Sequence, residues 1–449
     1  MNLISLIDRI PFGHSAGKGY WLYRNIPPGF FQKLEEDNFK KTVRYVYRHS
    51  RFYRRRFDEL NIRPEKIRRP EDLGDFFTTA EDLRNFTEEF VCARPDTAYE
   101  STGTTSKRTK RVYFSRGEIQ DAGWAGAVGL WGVGVRPEDR IASAFDYSFW
   151  VSGPVLQASS QVLGSFHVEA GKIPPEEFYD RLSDYGISVI VSDPSWILAL
   201  SEIAQKRGVW PVKLLIGGGE NMTEQTRRFI ERVWNADMLL SYGQTEAFGA
   251  IGMETRAKDG YHLNDFHNFF EIVHSDKDGY GELVYTTLNR RVMPLVRYKS
   301  GDITRFLDSY PPQSAADRNS HGNKDKLPGR RIAKLKGRVN EWVATAMGNI
   351  APWMFEPIFS ELPGLTGDWQ VVLNKKDNKD LIEFRVESAN GSLDANSVKQ
   401  GIFSGIKNSL PDSWRMYEMG LFHFEANILP KGSLRQSRKL IRIVDQRKF

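Results

Sequence analysis

The stretch Ser101-Thr-Gly-Thr-Thr-Ser-Lys-Arg-Thr109 gathers hydroxyl side chains, one glycine and two adjacent cations, and contains no large apolar residue. It has nothing to bury and much to donate. Small residues let backbone N–H groups approach an anion closely, and hydroxyls and a lysine add further donors. The chemistry that suits such a segment is a clamp on a polyphosphate. It is not the G-x-x-x-x-G-K-[ST] loop of mononucleotide ATPases. The nearest approach to that pattern, Gly13 to Lys18, is one residue short and follows no strand. A solvated Ser/Thr-rich turn has the same composition, so this stretch alone leaves both readings open.

The other polar clusters sit at the ends of apolar runs. Ile141-Ala-Ser-Ala-Phe145 predicts a buried strand that ends in Asp146-Tyr-Ser-Phe-Trp150. Strand, helix and strand are then expected over Ile187–Ser192, Trp196–Lys206 and Val212–Ile216, the last running into Gly217-Gly-Gly-Glu220 and a helix from about Thr223 to Trp234. The next strand, Met238–Ser241, ends in Tyr242-Gly-Gln-Thr-Glu246. This alternation predicts parallel α/β layers. Ligands of open α/β sheets sit at the carboxyl ends of strands, so Asp146, Glu220, Thr245 and Glu246 are expected to converge on one crevice.

Around this centre, Phe30 to Phe90 is helix-rich, and its arginine run, His49 to Arg56, has Glu59, Glu65, Glu71 and Asp72 close behind it. A solvated helix face explains that run better than a nucleic-acid patch. Beyond a strand at Gly281–Thr287 come Pro294-Leu-Val-Arg-Tyr-Lys-Ser-Gly-Asp302 and a polar loop between Asp308 and Lys326. Leu335-Lys-Gly-Arg-Val-Asn340 then leads to a small α+β piece with strands expected at Trp369–Leu373, Leu381–Glu387 and Leu421–Ala426 and a helix at Asn396–Leu410.

Composition narrows the class. A chain of 449 residues with 40% hydrophobic and 27% charged residues is globular. No apolar run reaches the length of a membrane span, and the first thirty residues have no signal-peptide pattern, so a cytoplasmic protein without a membrane partner is expected. The single cysteine, Cys92, excludes an internal disulfide and a cysteine-cluster metal site and reads as a small buried hydrophobe. Net charge +6 with both signs interleaved makes nucleic acid a weak partner and suits a substrate bearing phosphates.

Four separated stretches, Ser101–Thr109, Tyr242–Glu246, Tyr298-Lys-Ser-Gly-Asp302 and Gly337-Arg-Val-Asn-Glu341, resemble in order and spacing the motifs of the adenylate-forming (ANL) superfamily, and most closely its phenylacetate-CoA ligase-like branch. The resemblance runs through nearly the whole chain to the closing segment Pro430–Asp445. It implies a large N-terminal adenylation domain, residues 1–336, of α/β layered sheets plus a small β-barrel subdomain, and a small mobile α+β C-terminal domain, residues 337–449. The implied activity is adenylation of an aromatic or amino-bearing carboxylic acid by ATP, then acyl transfer to a thiol of CoA or of a carrier protein's phosphopantetheine arm.

Roles follow from the same resemblance. Ser101, Thr102, Gly103, Thr104, Thr105 and Lys107 would hold the ATP phosphates, with Tyr242 and Gly243 beside the nucleotide. Thr245 would meet the α-phosphate and Glu246 would hold Mg²⁺. Gly219 and Glu220 would lie by the adenine, Asp302 would take the ribose hydroxyls, Arg338 would lie near ribose and phosphate, and Asn340 would be the hinge. Lys439 matches the lysine that bridges substrate carboxylate and α-phosphate. Phe145, Asp146, Tyr147 and Phe149 would form the acid pocket, the aspartate pairing with a substrate amino group; the other reading has Asp146 turn away and cap locally. Ser106, Arg108, Lys299, Asn340, Glu341 and Arg438 depart from the family pattern. Metal-binding cysteines common in this branch are missing, so no structural zinc is expected. Amide formation with an amine acceptor and a non-catalytic nucleotide-binding scaffold are the alternative functions, and a homodimer is compatible with the sequence.

Overall fold

The computed structural model describes residues 16–101, 109–308, 327, 329–339, 343–377, 379–389, 393–435 and 440–447. The chain divides into two compact units: Met1–Gly219, Glu231–Ser300 and Thr304–Lys334 in the first, and Glu220–Ile230, Gly301–Ile303 and Leu335–Phe449 in the second.

The first unit is built on an eight-stranded sheet. Phe166–Glu169, Arg140–Ser143, Val189–Ser192, Leu214–Gly218 and Asp237–Gln244 lie side by side and parallel. Every residue of Val189–Ser192 and Leu214–Gly218 is buried, as expected where helices cover both faces of a sheet. Beyond Asp237–Gln244 the sheet continues through Gly249–Met253, Tyr261–Leu263 and Arg331–Ile332, all antiparallel to their neighbours. Parallel layers therefore describe only one side of the sheet. A parallel partner after Gln244 would need a crossover of a dozen or more residues; here the next strand begins at Gly249, so the chain can only double back.

Two helices that alternation of strands did not predict lie over this sheet. Arg116–Gly132 opens on a capping box: Ser115 Oγ accepts from Glu118 N at 3.2 Å while Glu118 Oε2 accepts from Ser115 N at 2.7 Å. Five glycines weaken its intrinsic helicity, but they permit close packing on the helix Ser152–Leu163. A Cβ on Gly123 would come 2.7 Å from Ala158 Cβ, and one on Gly126 would collide with Ser159 Oγ. Tertiary packing overrides propensity here.

Asn268–Val273, Gly281–Thr287 and Tyr298–Thr304 form a three-stranded sheet, where a small barrel was expected. The N-terminal helices Pro28–His49 and Arg51–Glu59 carry the arginine run, with Arg55 paired to Glu89 at 3.0 Å and Arg56 to Glu59 at 2.8 Å.

In the second unit, Phe422–Leu429, Lys379–Ser388, Leu365–Lys376 and Ile443–Asp445 make a four-stranded sheet. Its core packs Phe355, Phe359, Trp369, Phe384, Ile402 and Ile406. The helix Ala395–Ser409 is capped by Asp394, whose Oδ2 accepts from Ser397 N at 2.9 Å.

Candidate active site

The strand Asp237–Gln244 delivers the Tyr242–Glu246 segment. Gln244 is held at both ends of its amide, Nε2 donating to Ser300 O at 3.1 Å and Oε1 accepting from Tyr285 Oη at 3.0 Å. Thr245 and Glu246 are both buried. The chain then reverses through Phe248 at φ +75°, a left-handed conformation costly for an aromatic residue, with Phe248 N bonded to Thr245 O at 3.1 Å. The strained reversal is clamped by packing: Phe248 contacts Phe114 with ring centroids 4.6 Å apart and lies under the Arg290 guanidinium, which also donates to Glu246 O at 2.6 Å.

Glu246 is the electrostatic centre of this unit. Its Oε1 accepts from Tyr298 Oη at 3.0 Å and Ser101 Oγ at 3.3 Å, and the Lys110 ammonium rests against the same oxygen. Burial pushes this carboxyl up, but the Lys110 charge and hydrogen bond, with the Tyr298 hydroxyl, outweigh it and hold the group below the usual glutamate value. Glu246 is a buried anion. Lys110 and Tyr298 are site residues that sequence reasoning did not single out; Lys110 adjoins the hydroxyl-rich stretch and Tyr298 opens the quoted Tyr298–Asp302 motif. Ser101, the last residue of the strand Thr97–Ser101, brings the edge of that stretch to Glu246. Thr102, Gly103, Thr104, Thr105 and Lys107 lie outside the described residues, as do Asn340 and Lys439.

Beside this centre is a cavity of about 270 Å³. Gly218, Gly219, Tyr242, Gly243 and Thr245 border it where the parallel strands end. Gly219 adopts φ +83°, the left-handed region glycine enters freely, and ends the strand Leu214–Gly218 without a side chain. The remaining wall is mainly apolar, from the helices Arg116–Gly132 and Ser152–Leu163 with Phe145, Phe266 and Leu327. The sequence carried no clear signal for the part played by the first of these helices, because its cavity face mixes Gly126 and Gly129 with Trp124, Val128 and Leu130.

Of the four residues expected to form an acid pocket, only Phe145 lines this cavity. Asp146 Oδ1 instead accepts from Ser148 N at 2.7 Å and Ser148 Oγ at 2.6 Å, a local turn of the kind short carboxylates form with their own backbone. Tyr147 Oη meets Ser143 Oγ at 2.5 Å, and Phe149 is 62% exposed. The strand ends at Ser143, and of the two readings of Asp146 the local turn is the arrangement seen here.

In the second unit, Asp302 is buried and its Oδ1 accepts from Arg338 Nε at 3.0 Å. Ile303 N donates to Gly337 O and Lys336 N to Ile303 O, both at 2.9 Å, so backbone pairing sets that contact. Glu220 belongs to this unit as well.

Among the described residues no group of three or more His, Cys, Asp or Glu could hold a metal by itself, and no helix is long and apolar enough to cross a membrane. A single carboxylate still suits Mg²⁺, which keeps several waters and is held by one or two carboxylates together with substrate phosphates. Glu246, buried and held ionised, is a carboxylate of that kind.

The sequence family described as AMP-binding enzyme C-terminal domain matches residues 348–447. The chain is 28% identical over 379 residues to a phenylacetate-coenzyme A ligase of Thermus thermophilus, covering 81% of this chain and 82% of that one. It is also 28% identical over 365 residues to a phenylacetate-coenzyme A ligase of Pseudomonas putida, covering 77% and 79%. In fold it is similar to a 2-hydroxyisobutyryl-CoA ligase in the postadenylation state in complex with 2-HIB-AMP, with TM-score 0.76, 18% identity and coverage of 94% and 91%.

Proposed function

We propose, on the premise that this chain belongs to the adenylate-forming superfamily in its phenylacetate-CoA ligase-like branch, that it joins a carboxylic acid to CoA at the expense of ATP. It is an acid–thiol ligase. The acid's carboxylate oxygen attacks the α-phosphorus of ATP, the bond to the β-phosphate oxygen breaks, and pyrophosphate leaves. The CoA thiol, losing its proton, then attacks the acyl carbon of the acyl-adenylate and AMP departs.

The observation that carries this reading is the placement of Thr245 and the buried Glu246 at the carboxyl end of a parallel strand, beside an apolar cavity. An apolar pocket takes the body of the acid, and water excluded from it strengthens every charge contact at its mouth. In this proposal Thr245 orients the α-phosphate, Glu246 would help to hold Mg²⁺, Ser101 through Lys107 cradle the phosphates, and Asp302 and Arg338 serve the ribose. Mg²⁺ supplies positive charge against the phosphate oxygens when bound. Lys110 keeps Glu246 ionised before nucleotide arrives, and the donors are in place before charge develops. Residues 1–336 would form the adenylating domain and 337–449 the domain that brings Lys439, hinged at Asn340. A phosphopantetheine arm on a carrier protein is a further acceptor of the same thiol chemistry.

Acid-dependent exchange of labelled pyrophosphate into ATP, followed by product analysis with CoA, a carrier protein or an amine as sole acceptor, tests this. Thioester formed with CoA is the expected result. ATP binding without exchange across a broad panel of acids would favour a nucleotide-binding scaffold.

A further inference from the structure

Most polar side chains on the cavity wall are already committed. Ser159 Oγ donates to Val155 O at 2.7 Å, Ser241 Oγ to Gly217 O at 3.2 Å, Tyr23 Oη to Leu263 O at 3.4 Å, and the Gln244 amide is held at both ends. His267 differs. Its Nδ1 lies 3.1 Å from Asn264 Oδ1. An amide oxygen only accepts, so Nδ1 carries the proton and Nε2 presents a lone pair. The ring lines the cavity and is half-buried. Burial, with the charge of nearby Arg290, brings its pKa down to about 4, so the ring is neutral across the physiological range.

Space in the cavity is set by a missing side chain. A Cβ on Gly129 would meet only Met253 Sδ, at 3.7 Å, whereas one on Gly126 would strike Ser159. Gly126 is thus explained by helix packing, and Gly129 by the opening it leaves. A void of about 150 Å³ accommodates benzene in an engineered cavity of another protein. The 270 Å³ here therefore takes an apolar body larger than one ring, or one ring with its carboxylate-bearing linker.

We propose that the acid is a bulky, largely apolar carboxylic acid bearing a hydroxyl or amino group whose hydrogen is accepted by His267 Nε2, with Asn264 as the positioning residue and Gly129 as the residue that sets the acid's size. The inference rests on the cavity being the acid pocket of the proposed ligase. A site that hydrogen-bonds a substrate donor discriminates strongly against an analogue lacking it, because the site's own polar group is then buried unpaired.

The test is pyrophosphate exchange with matched acids: 3-phenylpropanoates carrying a hydroxyl on the ring or at carbon 2, their methyl ethers, and the unsubstituted acid, together with propanoate as a small one. A hydroxy acid is expected to exceed its methyl ether in kcat/KM by roughly ten- to a hundredfold. His267→Phe should bring that ratio close to one, and Asn264→Leu should reduce it by freeing the ring to adopt the other tautomer. Gly129→Leu, which raises helix propensity and so is expected to fold, should depress the phenylpropanoates relative to propanoate. Methyl ethers or the plain acid turned over best, with the preference unchanged in His267→Phe, would overturn the inference and leave the ligase reading standing. Exchange with none of these acids or any other, while ATP still binds, would overturn both. Thermal melting of each variant identifies a misfolded one, and a titration of wild type with the hydroxy acid and its ether, read by calorimetry, decides the preference without any variant.

Discussion

Arg338 Nε donates to Asp302 Oδ1 at 3.0 Å, so the two residues matched by resemblance to the ribose end of the nucleotide meet each other. Asp302 is buried and Arg338 is about 38% exposed at its side chain. The arginine can therefore orient the carboxylate while part of it stays open to solvent.

Asp302→Ala should raise the KM for ATP by roughly ten- to a hundredfold, the range for hydrogen bonds to a charged group. Arg338→Ala should raise it less. Nucleotide affinity read by calorimetry with ATP and with 2′,3′-dideoxy-ATP checks the assignment. If Asp302→Ala weakens both nucleotides by the same factor, the carboxylate does not serve the ribose.

Lys110 and Glu246 predict a pH signature. The folded-state pKa of Glu246 is depressed, so its contribution to stability is present above the ordinary glutamate value near 4.3 and is lost as the pH falls through the depressed value. Lys110→Met leaves burial to act alone and drives that pKa upward. The variant should then lose about 3–5 kcal/mol near neutral pH, as expected on stranding one partner of a buried pair. It should lose less at pH 4, where its carboxyl is protonated. Thermal melts of both proteins from pH 4 to 8 provide the measurement, and parallel profiles would show that the pair does not set this ionisation.

Asp146→Ala should leave the acid preference as it is. The Asp146 turn to Ser148 is local and Asp146 does not line the cavity, so the expected cost is about 1 kcal/mol of stability at most. A selective loss of amino-bearing acids in the exchange assay would restore Asp146 to the pocket.

Lys439 lies outside the described residues, and its role is argued from the closing motif alone. Lys439→Ala should slow adenylation by roughly a hundred- to a thousandfold, the effect of losing one contact to charge that develops in the transition state. Thioester formation from pre-made acyl-adenylate should be spared. An equal fall in both half-reactions would make the lysine structural or place it in the thiol step.

The amino-acid sequence by itself determined the chemistry at the strand ends. Tyr242–Glu246 needed only a strand before it and a crevice after it, and local apolar runs announce both. Val189–Ser192, Leu214–Gly218 and the strands Leu365–Lys376, Lys379–Ser388 and Phe422–Leu429 of the second unit were legible for the same reason, whereas Ile443–Asp445 was not: uninterrupted or alternating apolar residues mark strands whatever surrounds them. The tertiary structure decided what no local pattern encodes. Gly249 follows Gln244 too closely for a crossover, so the sheet turns antiparallel there. The glycine-rich Arg116–Gly132 reads as a poor helix until the surface of Ser152–Leu163 lies against it, and that packing makes the cavity. Asp146 reads equally as a ligand or as a turn in sequence, and its Oδ1 accepts from the Ser148 backbone two residues away, a local hydrogen bond that costs little chain entropy. Lys110, Tyr298 and Glu246 are far apart in sequence, so only the folded chain could show that the buried carboxylate has its own cation.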